Sequence, residues 1–234
     1  MAGFLNTILC PALAGGRVVF GPTFSAGTAG SFWADLQRSA ANTIWITPTI
    51  AAMLLRLNRL DRGYTRTFGA RLHHVFCGTA PLPYKVRKDW LDTFGIALQE
   101  SYGTSELMLV SVQSREQALT EHNVGGLLPG VEPEIAADGE LLVASVYSQH
   151  VSRHTGDIGT YKDGRLTITG RLKDLIIRGG FNVVPMQVEE VARKVAGVTD
   201  AAAVGQLNDF WGESIVLFVE GGDKATVAEH CRAH

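Results

Sequence analysis

The sequence predicts an α/β protein with a large α/β part, a small β part and a small α+β part, in that order. Apolar strands alternate with helical patterns over the first half of the chain. Short strands separated by glycine turns follow, and a helix, two strands and a last helix complete the chain. Alternation of strands with helices is typical of a mainly parallel sheet that helices cover.

Composition and charge exclude several functional classes. Hydrophobic residues make up 46% of the 234 residues and charged residues 19%, which is ample core material for a globular protein. The formal net charge of −2 argues against non-specific binding to nucleic acid or anionic membranes. Three cysteines lie far apart and predict neither a disulfide framework nor a Cys-based metal site, which fits the reducing cytoplasm. No apolar run is long enough to span a membrane.

The first residues are predicted to be helical. Residues 1–14 are apolar but lack a basic leader, so we expect a buried helix rather than a signal peptide. Gly15 and Gly16 end this helix, and Val18–Phe20 is predicted to be a short buried strand. Ser31 is expected to cap the helix that follows.

Strands and helices then alternate. The predicted strands are Asn42–Ile46, His74–Phe76 and Ala97–Glu100. Helices are expected to begin at Pro48 and Pro83, since proline is favoured in the first helical turn. A polar connection over Asp61–Gly69 joins two of these elements.

The second half has a different pattern. Its short strands suggest a small antiparallel barrel or sheet, with a hairpin turn at Asp163-Gly164. These strands are Glu134–Ala136, Glu140–Ser145, Asp157–Tyr161 and Leu166–Ile168. The last predicted elements are a helix over Met186–Val195, strands over Ala201–Val204 and Ile215–Val219, and a helix over Thr226–His234.

Three charged residues fall at predicted strand ends or turns in the second half. Asp157 lies between glycines, where its carboxylate can accept hydrogen bonds from a diol. Arg171 offers a planar fork of donors suited to phosphate or ribose oxygens. Asp174 begins a glycine-rich segment that is typical of a hinge. The alternatives are a turn aspartate that caps its own backbone and a surface ion pair of the arginine.

Two further stretches follow predicted strands of the first half. Glu106 comes after the strand that ends near Glu100. It is therefore expected at the carboxyl end of a parallel strand, where ligands usually bind in such sheets. Its carboxylate is suited to a magnesium ion that bridges phosphates, and a solvated loop carboxylate is the alternative. Gly78 permits close approach of a ligand to the backbone, although a simple strand-to-helix turn also explains it.

These stretches resemble, in order, the motifs of the adenylate-forming superfamily of acyl-CoA synthetases, peptide-synthetase adenylation domains and luciferases. Cys77–Leu82 is similar to the family's Gly-Gly-Ala-Pro-Leu stretch, and Ser101–Glu106 to its Tyr-Gly-x-Thr-Glu stretch. Thr155–Gly159 and Gly170–Glu190 resemble its late motifs. The resemblance covers nearly the whole chain. It implies that ATP and Mg²⁺ activate a carboxylic acid to acyl-AMP, and that coenzyme A or a carrier protein then takes the acyl group.

The resemblance also implies a role for individual residues. Implied nucleotide contacts are Gly78, Thr79, Ala80, Tyr102, Gly103, Thr104, Asp157 and Arg171. Implied catalytic residues are Ser105, Glu106 and Arg171, with Glu106 as the magnesium ligand. Asp174 is the implied hinge, and Gly179, Gly180 and Phe181 form the implied thiol-acceptor loop. The family usually has threonine at the position of Ser105, a change that keeps the hydroxyl.

On the same basis we expect three structural parts. Residues 1–121 would be an α/β subdomain of the adenylating core, residues 122–173 a small β-barrel subdomain with the ribose motif, and residues 174–234 a partial C-terminal lid domain. The family's phosphate loop is expected upstream of Met1 and its C-terminal lysine downstream of His234. We therefore expect these residues to keep partial nucleotide contacts but to adenylate poorly.

Two other patterns are assigned no ligand. Ser25–Gly30 resembles a phosphate loop but lacks the following lysine, so we expect a loop that caps the next helix. The histidine pair 73/74 lies at a strand entry, where successive side chains point in alternating directions. The pair 150/154 lies in an irregular segment with no acidic or cysteine partner at zinc-ligand spacing.

Alternatives to a CoA ligase stay open at this point. A non-catalytic relative that keeps a nucleotide groove is one, an adenylation domain that serves a carrier protein is a second, and a structural oligomerisation fragment is a third. The similarity of Gly170–Pro185 to acyl-CoA synthetases favours free CoA as the acceptor.

Overall fold

The computed structural model describes residues 4–58, 71–119 and 123–233. The chain starts with a π-helical segment, Leu5–Leu9, that continues into α1, Cys10–Leu13. The helical prediction for this stretch is confirmed over the described residues, but its predicted burial is wrong. Residues 5–8 are only partly covered, and Phe4 and Leu13 are 62% and 79% exposed.

The predicted strand over Val18–Phe20 is also wrong. These residues pair with none of the described strands, and a strand needs a neighbour to bond its backbone groups. A 3₁₀ turn then leads into α2, Phe32–Ser39. Ser31 precedes this helix as predicted, but its hydroxyl donates to Asp35 Oδ2 at 2.9 Å instead of accepting from a backbone N–H.

The first sheet has five strands in sequential order. They are β1 (Thr43–Ile46), β2 (His74–Cys77), β3 (Leu98–Thr104), β4 (Met108–Val112) and β5 (Gly126–Leu127). β1, β2 and β3 run parallel as predicted, whereas β4 and β5, which were not predicted, add antiparallel. The predicted connection over Asp61–Gly69 lies outside the described residues.

Two helices cover the parallel strands. They are α3 (Pro48–Leu57) and α4 (Tyr84–Phe94), both near their predicted starts. Thr47 caps α3, because its hydroxyl accepts from the Ile50 N–H at 3.2 Å. The core beneath them is aromatic, with the ring of Phe94 4.4 Å from Trp90 and 4.9 Å from Trp33, centroid to centroid. Such contacts stabilise a core beyond the area that they bury.

A buried ion pair joins α4 to β3. The guanidinium of Arg87 contacts the carboxylate of Glu100, and their side chains are 5% and 9% exposed. Arg87 Nη1 also donates to the Ala118 carbonyl at 3.4 Å. Burial raises the pKa of the nearby Cys77 thiol to about 12, and the positive charge of Arg87 opposes part of that rise. Loss of either partner of the Arg87–Glu100 pair would leave the other charge buried without compensation, which would destabilise the fold.

The second sheet has four strands in the order β6-β7-β8-β9. They are β6 (Val131–Ile135), β7 (Glu140–Ser145), β8 (Arg153–Lys162) and β9 (Arg165–Arg171). β7 and β8 are antiparallel. The predicted hairpin turn between β8 and β9 is confirmed, with positive φ angles at Asp163 and Gly164.

The third sheet has the order β11-β10-β13-β12 with antiparallel neighbours. Its strands are β10 (Ile176–Arg178), β11 (Phe181–Val183), β12 (Val198–Asn208) and β13 (Gly212–Gly221). The helices α5 (Pro185–Arg193) and α6 (Lys224–Ala233) accompany it. A small core forms from Ala192, Val198, Ala201 and Val227.

The chain divides into two compact units. The first comprises residues 1–132, 144–151 and 163–166, and the second residues 133–143, 152–162 and 167–234. The mixed α/β class is as predicted, while the three-part division of the chain stays a prediction. Among the helices that the structure describes, none has the length and apolar character needed to cross a membrane.

The buried pair leads to a stability prediction. Arg87→Met keeps much of the side-chain volume but leaves the Glu100 carboxylate buried and unpaired. We expect the free energy of unfolding to fall by about 3 to 5 kcal/mol. Urea unfolding followed by tryptophan fluorescence measures this change.

A matched control lies on the exposed side of the same helix. Lys85 pairs with Asp89 at 2.8 Å, and both side chains are largely exposed. Lys85→Met should change the urea midpoint little, since exposed pairs contribute little. Equal midpoints for the two variants would contradict the importance of the buried pair.

Candidate functional site

A cavity of about 240 Å³ opens at the carboxyl ends of the parallel strands in the first unit. It contains four of the predicted residues, Thr79, Gly103, Thr104 and Ser105. The other lining residues had no predicted role in a site; they are Leu5, Asn6, Trp45, Ser101, Met108 and Leu109. Most of these are apolar or small and carry no motif, so their position became evident only from the fold.

Two glycines lie close to β3 or β4, and the backbone leaves no room for a side chain at Gly103 of the cavity wall. A Cβ at Gly103 would lie 2.0 Å from the Met108 carbonyl oxygen, and one at Gly78 would lie 2.8 Å from Ser101 Oγ. Thr79 adopts a positive φ of 75°, a conformation that costs energy in a β-branched residue. The predicted close backbone approach at Gly78 is thus made by β3 in this structure.

Glu106 lies in the turn between β3 and β4, and its side chain is exposed. The turn is held in part by Thr104, whose hydroxyl accepts from the Leu107 N–H at 3.2 Å. Ser105 is exposed beside it, and Tyr102 is half-buried on β3. The described residues include no group of three or more acidic, histidine or cysteine side chains that would form a protein-only metal site.

The second group of predicted residues lies in the second unit. Asp157 is buried with 8% of its surface exposed, and Arg171 at the end of β9 is half-exposed. Arg171 Nε donates to Asp157 Oδ1 at 2.9 Å. The structure therefore joins the two residues in an ion pair, and it presents the carboxylate and guanidinium together at one place on the sheet.

Asp157 does not lie at a strand end, as the sequence analysis expected, but within β8. Glu140 pairs with Ile158 and Leu142 pairs with His154. Between these two pairs the chain moves by two residues in β7 and by four residues in β8. The extra residues form a bulge that includes Gly156, with φ +73°. Bulges redirect side chains and are common next to active sites. Strand periodicity carries no signal for such an insertion.

Hydrogen bonds hold this bulge in place. Thr155 Oγ1 donates to the Leu141 carbonyl at 2.7 Å and accepts from the Asp157 N–H at 3.1 Å. Glu140 accepts from the Gly156 N–H at 2.9 Å with one oxygen and bonds His154 Nδ1 at 2.6 Å with the other. From the sequence, Glu140 is predicted only as the first residue of a strand.

This contact shifts two pKa values in opposite directions. The hydrogen bond from His154, followed by that from Gly156, lowers the pKa of the Glu140 carboxyl. The hydrogen bond and then the charge of Glu140 raise the pKa of His154. From the sequence, His154 is assigned no ligand; in the structure its ring nitrogen bonds the Glu140 carboxylate.

The predicted thiol-acceptor loop is a tight hairpin between β10 and β11. Gly179 and Gly180 both adopt positive φ angles, which two-residue hairpins require. Gly179 N–H donates to the Trp211 carbonyl at 2.8 Å, and Arg178 lies 4.7 Å over the Trp211 ring. Phe181 is exposed. Trp211 was missed by the sequence analysis, because it follows the hairpin by about 30 residues and lies in no motif.

Two predictions remain, the hinge at Asp174 and the Ser25–Gly30 loop, which was assigned no ligand. Asp174 is exposed at the end of a 3₁₀ turn, Leu172–Asp174, that connects β9 to β10. In the Ser25–Gly30 loop, the Thr28 hydroxyl accepts from the Ser25 N–H at 2.9 Å. That loop therefore bonds its own backbone ahead of α2.

The amino-acid sequence of this chain is similar to that of known enzymes. The family model described as AMP-binding enzyme matches residues 1–147. A sulfoacetate–CoA ligase from Cupriavidus necator is 31% identical over 98% of this chain and 50% of its own length. A mitochondrial malonate–CoA ligase from Homo sapiens is 26% identical over 93% of this chain and 47% of its own.

Solved structures agree with these relatives. ATP-bound MatB from Rhodopseudomonas palustris matches with a TM-score of 0.81 and 25% identity, over 95% of this chain and 49% of that one. The chain therefore spans about half the length of the relatives that it matches.

The Glu140–His154 contact predicts a titration. The raised pKa of His154 means that its contribution to stability is complete below about pH 6.5 and is lost as the pH rises through the raised value. The lowered pKa of Glu140 means that its contribution is present above about pH 4.3 and is lost as the pH falls through the lowered value. The pair should thus contribute most between about pH 4.3 and 6.5.

An NMR titration of the His154 ring measures this effect. We expect its midpoint above that of an unperturbed histidine, and Glu140→Gln should lower it. Asp138→Asn is the control, because Asp138 raises the pKa of His154 less than Glu140 does. A midpoint unmoved by Glu140→Gln would refute the contact.

Proposed function

The chain belongs to the family of AMP-binding enzymes, and from this premise we propose that it activates a carboxylic acid with ATP and transfers the acyl group to coenzyme A. The observation that carries the proposal is the ion pair between Asp157, which is buried at the β8 bulge, and Arg171 at the end of β9. Both residues keep functional groups that suit a ribose and its phosphate. The CoA ligases among its relatives support this reaction class.

The proposed nucleotide contacts fall into two groups. In the first unit, Tyr102 would lie against adenine, Ser105 would donate to phosphate, and the backbone at Gly78, Thr79 and Ala80 would line the acyl and adenine positions. These proposals are supported by the cavity, which Thr79, Gly103, Thr104 and Ser105 line.

The second group would bind the ribose. The Asp157 carboxylate would accept from the ribose hydroxyls, and the Arg171 guanidinium would donate to a ribose or phosphate oxygen. Ligand binding would then exchange part of their mutual 2.9 Å contact for contacts to the nucleotide. Such an exchange is favourable where the geometry is already set before binding.

Magnesium fits the residues of the first group. It is usually held by one or two carboxylates together with substrate phosphates, and Glu106 offers one exposed carboxylate in the turn after β3. Glu106 would hold the ion, which supplies neutralisation of phosphate charge when bound.

The reaction would proceed in two steps, adenylation and thioester formation. A carboxylate oxygen of the acid attacks the α-phosphorus of ATP, the bond to the β-phosphate oxygen breaks, and acyl-AMP and pyrophosphate result. The CoA thiol then loses its proton to solvent, its sulfur attacks the acyl carbon, and the bond from the acyl carbon to the phosphate oxygen breaks, so that the thioester and AMP result. Arg171 would stabilise negative charge during the first step. Gly179, Gly180 and Phe181 would meet the thiol, with Asp174 as the hinge.

The acceptor and the compartment are finer proposals. Free CoA is favoured over a carrier protein, because the sulfoacetate and malonate relatives are named as CoA ligases. The cytoplasmic location rests on the three free cysteines, of which Cys77 is buried.

Binding of AMP to matched variants tests the proposal. Asp157→Asn removes the charge of the proposed ribose acceptor at nearly constant shape. We expect it to weaken binding about ten- to a hundredfold, the usual cost of losing a hydrogen bond to a charged group. Isothermal calorimetry with AMP measures the affinities.

The control is Asp163→Asn, the same change in the turn between β8 and β9. It should bind AMP as the wild-type protein does. Wild-type binding that Asp157→Asn leaves unchanged would exclude the proposed ribose site, and a folded wild-type protein that binds no AMP would exclude nucleotide binding altogether.

A further inference from the structure

One buried carboxylate supports the bulge that carries Asp157. The Glu140 side chain is 8% exposed, and both of its oxygens are used within this sheet. One accepts from the Gly156 N–H at 2.9 Å, and the other bonds His154 Nδ1 at 2.6 Å. Glu140 thus bonds two residues that stand immediately on either side of Thr155.

The bulge needs such support for a physical reason. Where β8 has extra residues, the regular ladder to β7 is interrupted and backbone groups lose their strand partners. A buried N–H without an acceptor is costly, so another group has to replace the ladder. Glu140 does so for Gly156, whose φ of +73° turns the chain towards Asp157.

The backbone conformation at Thr155 and Gly156 decides where the Asp157 side chain points. Asp157 N–H donates to Thr155 Oγ1 at 3.1 Å, and the same hydroxyl donates to the Leu141 carbonyl at 2.7 Å. From β7, the Leu141 carbonyl therefore restrains Thr155 and the Glu140 carboxylate restrains Gly156, the two residues before Asp157. Losing the Glu140 contact frees Gly156, which is the residue with the widest conformational range.

We propose that Glu140 is a positioning residue for the nucleotide ribose, which holds the bulge so that Asp157 presents its carboxylate to the ligand, with His154 as its second support. The proposal rests on the function proposed above. It assigns Glu140 no contact with substrate or with reacting atoms.

Acidic side chains around the Glu140–His154 contact favour the protonated form of His154. Glu140 faces His154 across β7 and β8, and the acidic side chains of Asp138 and Glu134 act on the same histidine. All three carboxylates favour protonated His154. In the wild-type protein a fall in pH towards about 6 should therefore strengthen the contact rather than break it.

Two variants of Glu140 separate its roles. Glu140→Ala removes the acceptor of the Gly156 N–H, whereas Glu140→Gln keeps an oxygen for it and turns an NH₂ group to His154. Glu134→Gln is the control, since Glu134 lies exposed on β6 and bonds neither residue of the bulge. Thermal unfolding first confirms that each variant is folded.

The first readout needs no ligand. Amide hydrogen exchange by NMR should be at least about tenfold faster at Gly156 in Glu140→Ala, and unchanged in Glu140→Gln and Glu134→Gln at about pH 7.5. Unchanged Gly156 exchange in folded Glu140→Ala would overturn the positioning role, whatever the chain binds.

The second readout is AMP affinity by calorimetry. We expect Glu140→Ala to bind about tenfold or more weakly, and Glu140→Gln to bind nearly as well as wild type at about pH 7.5. A folded Glu140→Ala protein with faster Gly156 exchange and wild-type AMP affinity would overturn the link to the ribose. Absence of AMP binding by wild type would instead overturn the proposed function, and the exchange result would still decide whether Glu140 holds the bulge.

A pH comparison keeps the proposal testable if Glu140→Ala does not fold. In Glu140→Gln, protonated His154 would place an N–H against the NH₂ of the introduced glutamine. The ratio of wild-type to Glu140→Gln affinity should thus rise as the pH falls from about 7.5 to about 5.5, and titration of AMP itself cancels in this ratio. A ratio that stays constant over this range would contradict the role of the Glu140–His154 contact.

Discussion

The buried contact between Arg87 and Glu100 joins α4 to β3, the strand that leads into the first group of candidate residues. Neither charge can be hydrated, since the two side chains are 5% and 9% exposed, so the pair persists only while α4 and β3 remain packed. The Glu100 backbone N–H is also held, by Gln113 Oε1 at 2.7 Å. The chain therefore leaves β3 at a defined place, and the turn that carries Glu106 starts from a rigid strand.

Both groups of candidate residues lie where a regular strand is interrupted. At β3 and β4 the register shifts between Tyr102 and Gly103, and only glycine fits against the Met108 carbonyl. At β7 and β8 the register shifts opposite Gly156. A regular strand would alternate its side chains between two faces, whereas an interruption directs several neighbouring groups to one place. Such positions cost stability, and the surrounding hydrogen bonds offset that cost.

Local chemistry explains which elements the sequence predicted well. Pro48 with Thr47 marks a helix start through φ and a hydroxyl cap, and Asp163-Gly164 marks a hairpin through two positive φ angles. Val18–Phe20 failed for the opposite reason. Its apolar residues have strand propensity, but a strand exists only with a neighbour, and pairing is not encoded within three residues.

The sequence indicates a candidate site residue only where a functional group and a local conformation coincide in one motif. Asp157 and Arg171 fulfil this condition, and their ion pair joins residues that were predicted separately. Glu140 does not, because its role depends on a register shift that brings the N–H of Gly156, 16 residues along the chain, within hydrogen-bond distance of the Glu140 carboxylate. A shorter aspartate at this position would have one methylene less with which to reach both the Gly156 amide and the His154 ring. The choice of glutamate thus becomes meaningful only once the bulge is known, which is why the residues that support a site are harder to read from sequence than the residues that form it.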